Sequence, residues 1–303
     1  MQYRYFQDIK DEKMAERIFY IFIYILLIFY IIVFVCNIAF QNSYSYITIR
    51  GTSMQPTLNA DPIYEDGYAF QDAVYVRLTK DIDYGEIIII DKSEEKDRSS
   101  TIIKRVLGFE GDKITIAKLP ILQEDGSTRT EYRFIRIKDE PNSNVEILYE
   151  DYISGYVNGS YKDGYGVWNA EPGVLDISEE GSGINTILYE QEFYLNYIYN
   201  NSNVVIENVA YNGQVYSMKF FVIGSDKQDS DPDQIFYMGD NRTGSTDARF
   251  TGTEGMDRVV GRVVSIVHDG YSLRNSPWSW LNNLKEYLII IWNEIVRYFS
   301  IIV

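Results

Sequence analysis

Residues 18–40 carry no charged side chain. A helix over that run, rising about 1.5 Å per residue, matches the roughly 30 Å hydrocarbon layer of a bilayer. A helix buried in a protein core would show a polar stripe, and this run shows none. A cleavable leader has an apolar stretch of about 7–15 residues ending at a small-residue site. This run is longer and ends Ala39-Phe40-Gln41-Asn42, so it reads as an uncleaved transmembrane anchor. Arg4, Lys10, Lys13 and Arg17 precede it, whereas the first basic residues after it are Arg50 and Arg77. The excess of basic residues puts residues 1–17 in the cytoplasm, as a tail, and the remainder outside. Asp8, Asp11, Glu12 and Glu16 do not change this, because the rule counts Lys and Arg. The expected location is the plasma membrane, single-pass, with an extracytoplasmic domain.

With 303 residues, the chain has room for one large or two small domains beyond the anchor. The net charge of −16 argues against nucleic acid as a partner, since phosphate recognition needs basic patches. It reads instead as a soluble, self-repelling surface. Cys36 is the only cysteine and lies inside the apolar run, which rules out an intramolecular disulfide, a cysteine zinc site and an accessible thiol nucleophile. His268 is the only histidine. A multi-histidine metal site is excluded, and a Ser-His-Asp triad would have to use His268. The base of any hydrolase built on this chain is therefore expected to be a lysine or a carboxylate.

Beyond residue 41 the pattern is mainly β. Short β-branched or apolar runs occur at Tyr46–Ile49, Val74–Leu78, Glu86–Ile90, Ile102–Leu107, Ile114–Ala117 and Tyr132–Ile137. Others occur at Val204–Val209, Tyr216–Ile223, Ile235–Met238 and Val259–Val267. Residues 119–230 are richer in Tyr, Asn, Gly, Asp and Glu. They read as an inserted lobe, with long loops near 155–173, between two parts of a core at 41–118 and 231–270. At 277–303, Leu281, Leu284, Leu288, Ile291, Trp292, Ile295, Phe299 and Ile302 recur at helical spacing. Glu286, Asn293, Arg297 and Ser300 fall largely on the other side. This amphipathic helix either packs on the domain or lies on a membrane surface. A second spanning helix would leave Asn293, Glu294 and Arg297 at depth.

Three stretches bear chemistry. In Arg50-Gly51-Thr52-Ser53-Met54-Gln55-Pro56-Thr57-Leu58, a serine sits on a turn stiffened by glycine and proline, just after a strand. Such a turn presents its hydroxyl in one direction; it is also an ordinary way to leave a strand. In Ile102–Leu107, alternation puts Lys104 on the face of Ile102 and Val106, opposite Ile103, Arg105 and Leu107. Burial there lowers the lysine pKa, and a neutral amine can take a serine proton. The competing reading is a lysine that snorkels from a sheet edge. The third stretch, Tyr237 to Arg249, is a polar loop after an apolar strand. Its Ser245 hydroxyl can aim an amine, and its Asp240 and Asp247 can pair with Arg105 and Arg249.

Taken in order, the anchor, Gly-Thr-Ser-Met-Gln-Pro-Thr-Leu, Ile-Ile-Lys-Arg-Val-Leu-Gly-Phe-Glu-Gly-Asp and Met-Gly-Asp-Asn-Arg-Thr-Gly-Ser-Thr-Asp-Ala-Arg resemble the bacterial type I signal peptidases. The resemblance covers about 41–118 and 233–268 and leaves the insertion uncovered. It implies a signal-peptidase-like β-sheet catalytic core, with Ser53 as nucleophile and Lys104 as general base. Ser245 is then expected to orient the lysine, and Asp240 with Arg105 and Asp247 with Arg249 to be structural pairs. The Ser53 backbone N–H is expected to serve the oxyanion. Some family members place a second serine donor where this chain has Gly51, and Ala248 stands where serine is common. The implied substrates are signal peptides of exported preproteins, held extended beside Ile47, Ile49, Gly51, Met54 and Leu58. Membrane lipid is the other implied partner, and no metal or organic cofactor is implied.

Overall fold

A computed structural model describes residues 2–60, 62–65, 67–93, 101–122, 126–148, 175–176, 203–211, 213–225, 232–241, 244–270 and 279–302. The reading of 155–173 as loops lies outside these residues. The chain divides into two units, Met1–Ser45 and Tyr46–Val303. The first is one helix, α1 (Gln2–Ser43), which takes in most of the expected tail and all of the chargeless run. Its longest unbroken stretch of described side chains, 16–32, is exposed throughout. Among the described residues, no helix is long and apolar enough to cross a membrane.

The second unit is mainly β. One sheet is built from β1 (Tyr44–Arg50), β2 (Ile63–Glu65), β3 (Tyr68–Arg77), β4 (Ile87–Asp91), β5 (Thr101–Phe109), β12 (Gln234–Met238), β13 (Glu254–Gly255) and β14 (Val259–Val267). Its strand order is β1-β3-β14-β4-β5-β12-β13, with β2 paired to β3. A second sheet contains β6 (Lys113–Leu122), β7 (Thr128–Ile137), β8 (Val145–Leu148), β9 (Leu175–Asp176), β10 (Val204–Tyr211) and β11 (Gln214–Val222). The order there is β10-β11-β6-β7-β8, with β9 running parallel beside β6. The second sheet thus starts inside the segment read as core, and the texture change near 119 falls within β6.

Alternation along β4 divides the core in two. Ile88 and Ile90 face a cluster that joins the sheets, with Val106, Leu107, Ile114, Ile116, Phe134 and Phe221. Ile87 and Ile89 face a separate cluster with Ile49, Met54, Leu58, Val74, Val76 and Ile103. The sheets are held at a fixed separation by the turn after β5. Gly108 lies so close to Ile223 that a Cβ would come within 2.4 Å of its Cδ1. Gly111 has φ +84°, which glycine adopts without strain. Asp112, buried, accepts from the Phe109 N–H at 2.8 Å, the Tyr84 hydroxyl and the Asp139 N–H. The Gly-x-x-Gly-Asp half of the second motif is therefore a joint between sheets.

Among the described residues of this unit are two α-helices and a 3-10 turn, Met256–Arg258. The single turn α2 (Ala248–Thr251) is capped by the Asp247 carboxylate. The long helix α3 (Ser279–Ile302) packs on β14. Its inward side is the polar one. Glu286 accepts from Ser265, Glu294 from Arg262 and Arg77, and Arg297 donates to Asp81 and Asp83. Tyr287 stacks edge-on against Tyr75, and Ile290 is fully buried. Helical spacing identifies two faces but does not say which one docks.

Candidate active site

The turn carrying Ser53 is pinned from beneath. Gly51, at φ +83°, donates its N–H to Ala69 O at 2.8 Å, and Leu58 donates back to Met54 O at 2.9 Å. Met54 and Leu58 are buried plugs in the cluster with Ile49 and Val74. Asn59, at φ 53°, closes the turn. Its side-chain NH2 reaches Gly51 O at 2.8 Å and, more loosely, Ile49 O and Ala69 O. It is clasped by Asp72: the Asn59 N–H donates to the carboxylate at 2.9 Å, and the Asp72 N–H donates to the Asn59 side-chain oxygen at 2.8 Å. Each buried polar group is satisfied, which locks the backbone on either side of Ser53.

Lys104 lies on β5 opposite Ile88, with Ile102 opposite Ile90, on the face that Val106 shares. It is only 4% exposed. Its Nζ is 3.0 Å from Ser53 Oγ and 2.9 Å from Ile103 O. Burial drives the ammonium pKa down to about 8; Asp247 and Asp240 pull the other way, while Arg249 and Lys92 lower it further. An amine with that pKa is partly neutral near physiological pH, and of the hydroxyls on the rigid turn it touches that of Ser53.

The loop after β12 holds the turn and the lysine strand together. The Asn241 N–H donates to Ser53 O at 3.0 Å, and its side chain donates to Thr52 O at 3.0 Å. Arg105 forks onto Asp240 through Nε at 2.9 Å and a terminal nitrogen at 2.6 Å, and the same carboxylate accepts from Thr57 at 2.5 Å. Asp247 and Arg249 are both fully buried and doubly bonded, at 2.8 and 2.9 Å. Burial pushes the Asp247 carboxyl pKa up, but Arg249 and the Gly239 N–H more than offset it, so the net shift is downward.

Ser245 lies beside this assembly. Its hydroxyl is buried, contributes to holding Asp247 ionised, and forms no hydrogen bond of good geometry. The described partners of the Lys104 amine are Ser53 Oγ and Ile103 O; the Ser245 hydroxyl is not bonded to it. Gly239 explains the close packing. A Cβ there would sit 2.2 Å from Ser245 Oγ and 2.4 Å from Ser53 O, so only glycine lets both approach.

Beside Ser53 and Lys104 opens a pocket of about 390 Å³, lined by Ile47, Thr48, Ile49, Arg50, Ile89, Thr101, Ile102 and Ile103. Its wall mixes isoleucines with Thr48, Arg50, Thr101 and the Ser53–Lys104 pair, so it offers an apolar side to a small side chain and polar groups to a peptide backbone. Of the residues expected to line it, Ile47 and Ile49 do so. Met54 and Leu58 instead point into the core below, and Gly51 belongs to the turn. Ile89, Thr101, Ile102 and Ile103 take their places, because cross-strand register brings β4 and β5 to the same wall. His268 is elsewhere: its ring is 72% exposed and 3.5 Å from Asp72. Asn59, Asp72, Asn241 and Gly239 escape a sequence reading. An asparagine directly after the Pro-Thr-Leu turn, a residue type that tolerates a left-handed backbone, is the one signal that could have marked Asn59.

A mainly β domain with a serine hydroxyl against a buried amine defines the class as a serine peptidase, and the family comparison agrees. Residues 15–268 match the model described as signal peptidase, peptidase S26, and the chain belongs to this family. No curated protein gives a significant match.

Proposed function

We propose that this protein is a membrane-anchored serine endopeptidase that removes N-terminal signal peptides from exported preproteins, using a Ser53–Lys104 dyad. The observation that carries this reading is the 3.0 Å approach of Lys104 Nζ to Ser53 Oγ, with the amine pKa near 8. Neutral Lys104 takes the Ser53 hydroxyl proton as Oγ attacks the scissile carbonyl carbon. The resulting ammonium gives that proton to the departing amine as the peptide bond breaks. Lys104, neutral again, takes a proton from water as its oxygen attacks the acyl ester, and the ammonium returns that proton to Ser53 Oγ as the ester bond breaks, releasing the new carboxyl terminus and restoring the neutral amine. Asp240 with Arg105, and Asp247 with Arg249, hold the loop that fixes Ser53 O through Asn241. The isoleucine side of the pocket beside Ser53 accepts the small side chains that precede a signal-peptide cleavage site.

The chargeless run 18–40 supports a transmembrane anchor, and the basic residues before it support a cytoplasmic N-terminus with the catalytic unit outside. Tethering suits an enzyme whose substrates are themselves held in the membrane.

The test is cleavage of a preprotein by the full chain in detergent. Cutting should follow an Ala-x-Ala type sequence, and Ser53→Ala and Lys104→Ala should each abolish it. A folded Lys104→Ala protein with near-normal activity would overturn the dyad.

A further inference from the structure

The polar side of α3 is turned toward the protein and its apolar side outward. Leu288, Ile289, Ile291, Trp292, Ile295 and Val296 are exposed, Trp292 at 65%. Opposite them, Glu286, Glu294 and Arg297 are bound to Ser265, Arg262, Arg77, Asp81 and Asp83. An amphipathic helix on a soluble protein docks the other way round, because each aliphatic side chain it buries contributes roughly 1.5–3 kcal/mol. Here the inner contact buries Ile290 and part of Tyr287 and is otherwise made by ion pairs and hydrogen bonds, while the aliphatic face stays outside.

We infer that the outward face of α3 is a docking surface for the lipid bilayer, lying in the interface with its long axis along the membrane plane. Three observations favour lipid over protein. First, both acidic residues among the described side chains of α3, Glu286 and Glu294, are turned inward and partnered, so a chain of net charge −16 presents no carboxylate on this face. The polar side chains exposed there are Lys285 and Asn293, which an anionic headgroup region tolerates. Second, Trp292 stands among aliphatic residues, the arrangement of interfacial helices. Third, among the described residues the exposed apolar face amounts to six partly exposed side chains on a single helix, less than the ~800 Å² per partner that a stable protein interface buries. The ion pairs to β3, β14 and the loop before β4 make α3 a rigid part of the domain. Lipid contact along it therefore fixes the orientation of the whole catalytic unit.

The test uses the full chain reconstituted in vesicles of phosphatidylethanolamine with a minority of phosphatidylglycerol. In a Cys36→Ser background, a nitroxide is attached to a single cysteine introduced as Ile291→Cys, Ile295→Cys or, as the control, Val215→Cys on β11, a residue 70% exposed. Labels at 291 and 295 should collide freely with oxygen and be shielded from a water-soluble nickel chelate, while the label at 215 should meet the chelate. Equal chelate access at 291 and 215 overturns the inference. So does shielding from both reagents with spin–spin broadening that vanishes on dilution by unlabelled chain, which would mean that a second copy covers the face.

A functional arm rests on the membrane-peptidase reading. Leu288→Ser with Trp292→Ser should leave cleavage of a short soluble peptide unchanged and slow cleavage of a vesicle-embedded precursor about tenfold. Equal rates on the embedded precursor overturn the inference, and retained peptide cleavage shows that the variant folds. If the unsubstituted chain cleaves neither substrate, the proteolytic reading fails, while the labels still decide the lipid contact.

Discussion

The backbone N–H of Asn241 donates to the carbonyl of Ser53 at 3.0 Å, tying the loop after β12 to the turn that carries the hydroxyl. The bond acts on the peptide rather than the side chain. The direction of Ser53 Oγ thus depends on a loop nearly two hundred residues further along the chain.

Gly239, two residues before that bond, should not tolerate a methyl group. In Gly239→Ala the new Cβ meets Ser245 Oγ and the Ser53 carbonyl, and the backbone contact cannot be relieved by a rotamer change. Overpacking of this kind costs about 1–3 kcal/mol. The denaturation midpoint should fall accordingly, and precursor cleavage should drop by more than tenfold. Adding Ser245→Ala should recover part of the stability and little of the activity.

Activity should depend on the protonation of Lys104. With its pKa lowered to about 8, the neutral fraction is about a tenth at pH 7 and rises with pH. We expect kcat/KM to climb through pH 8 and level off above it. Asp240 is one of the negative charges that hold this pKa up. Asp240→Asn should therefore move the rise to lower pH in whatever activity remains. A profile flat from pH 6 to 9 would remove Lys104 from the role of base.

Stability should show the reverse side of the same shift. A lysine whose folded pKa lies below its unfolded value of 10.5 penalises folding at pH values under about 8, where the buried site must hold the proton. The penalty fades as pH rises through 8 and is gone above 10.5. Lys104→Met, an inactive variant, should be more stable than the natural chain at pH 7 by about 1–3 kcal/mol. That gain should shrink at pH 10, as followed by urea denaturation at both pH values.

Asn59→Ala removes the acceptor of the Asp72 N–H and the donor to Gly51 O, leaving a buried donor and a buried acceptor unfilled, while the backbone N–H of residue 59 keeps its bond to the Asp72 carboxylate. The cost should be about 2–4 kcal/mol, since each orphaned buried group is worth about 1–3. Activity on a precursor should fall together with stability, in contrast to Lys104→Met, where the two move in opposite directions.

The pairing of Ser53 with Lys104 was legible through the three motifs in order and their resemblance to the signal peptidases; the local chemistry, a stiff turn and a charged residue on an apolar strand face, left other readings open. The same holds for the Arg105–Asp240 and Asp247–Arg249 pairs. The Asn59–Asp72 clasp was not legible, because it joins a turn to a strand across thirteen positions with no intervening pattern. The fates of Met54 and Leu58 depend on what lies beneath the turn, and the pocket wall depends on the register of β4 with β5; alternation reports neither. The second sheet was foreseen as weak strands and loops. Its strands β6 and β7 pair over ten residues, and that length is hidden because polar and charged residues such as Arg133 and Lys118 interrupt the apolar rhythm. For α3, the periodicity located two faces, and the ion pairs with distant strands decided which one docks.

In the order β1-β3-β14-β4-β5-β12-β13, the strand leading to Ser53 lies at the rim and the strand bearing Lys104 lies four places away. Their side chains meet only because the sheet rolls round until its first strand overlies its fifth. Neither half of the site has chemistry to offer before that closure, since a serine and a lysine held apart have nothing to activate either one. The curl serves as a latch. A site divided between a rim strand and an inner strand exists only in the closed sheet, so its chemistry is a property of the fold and not of either motif.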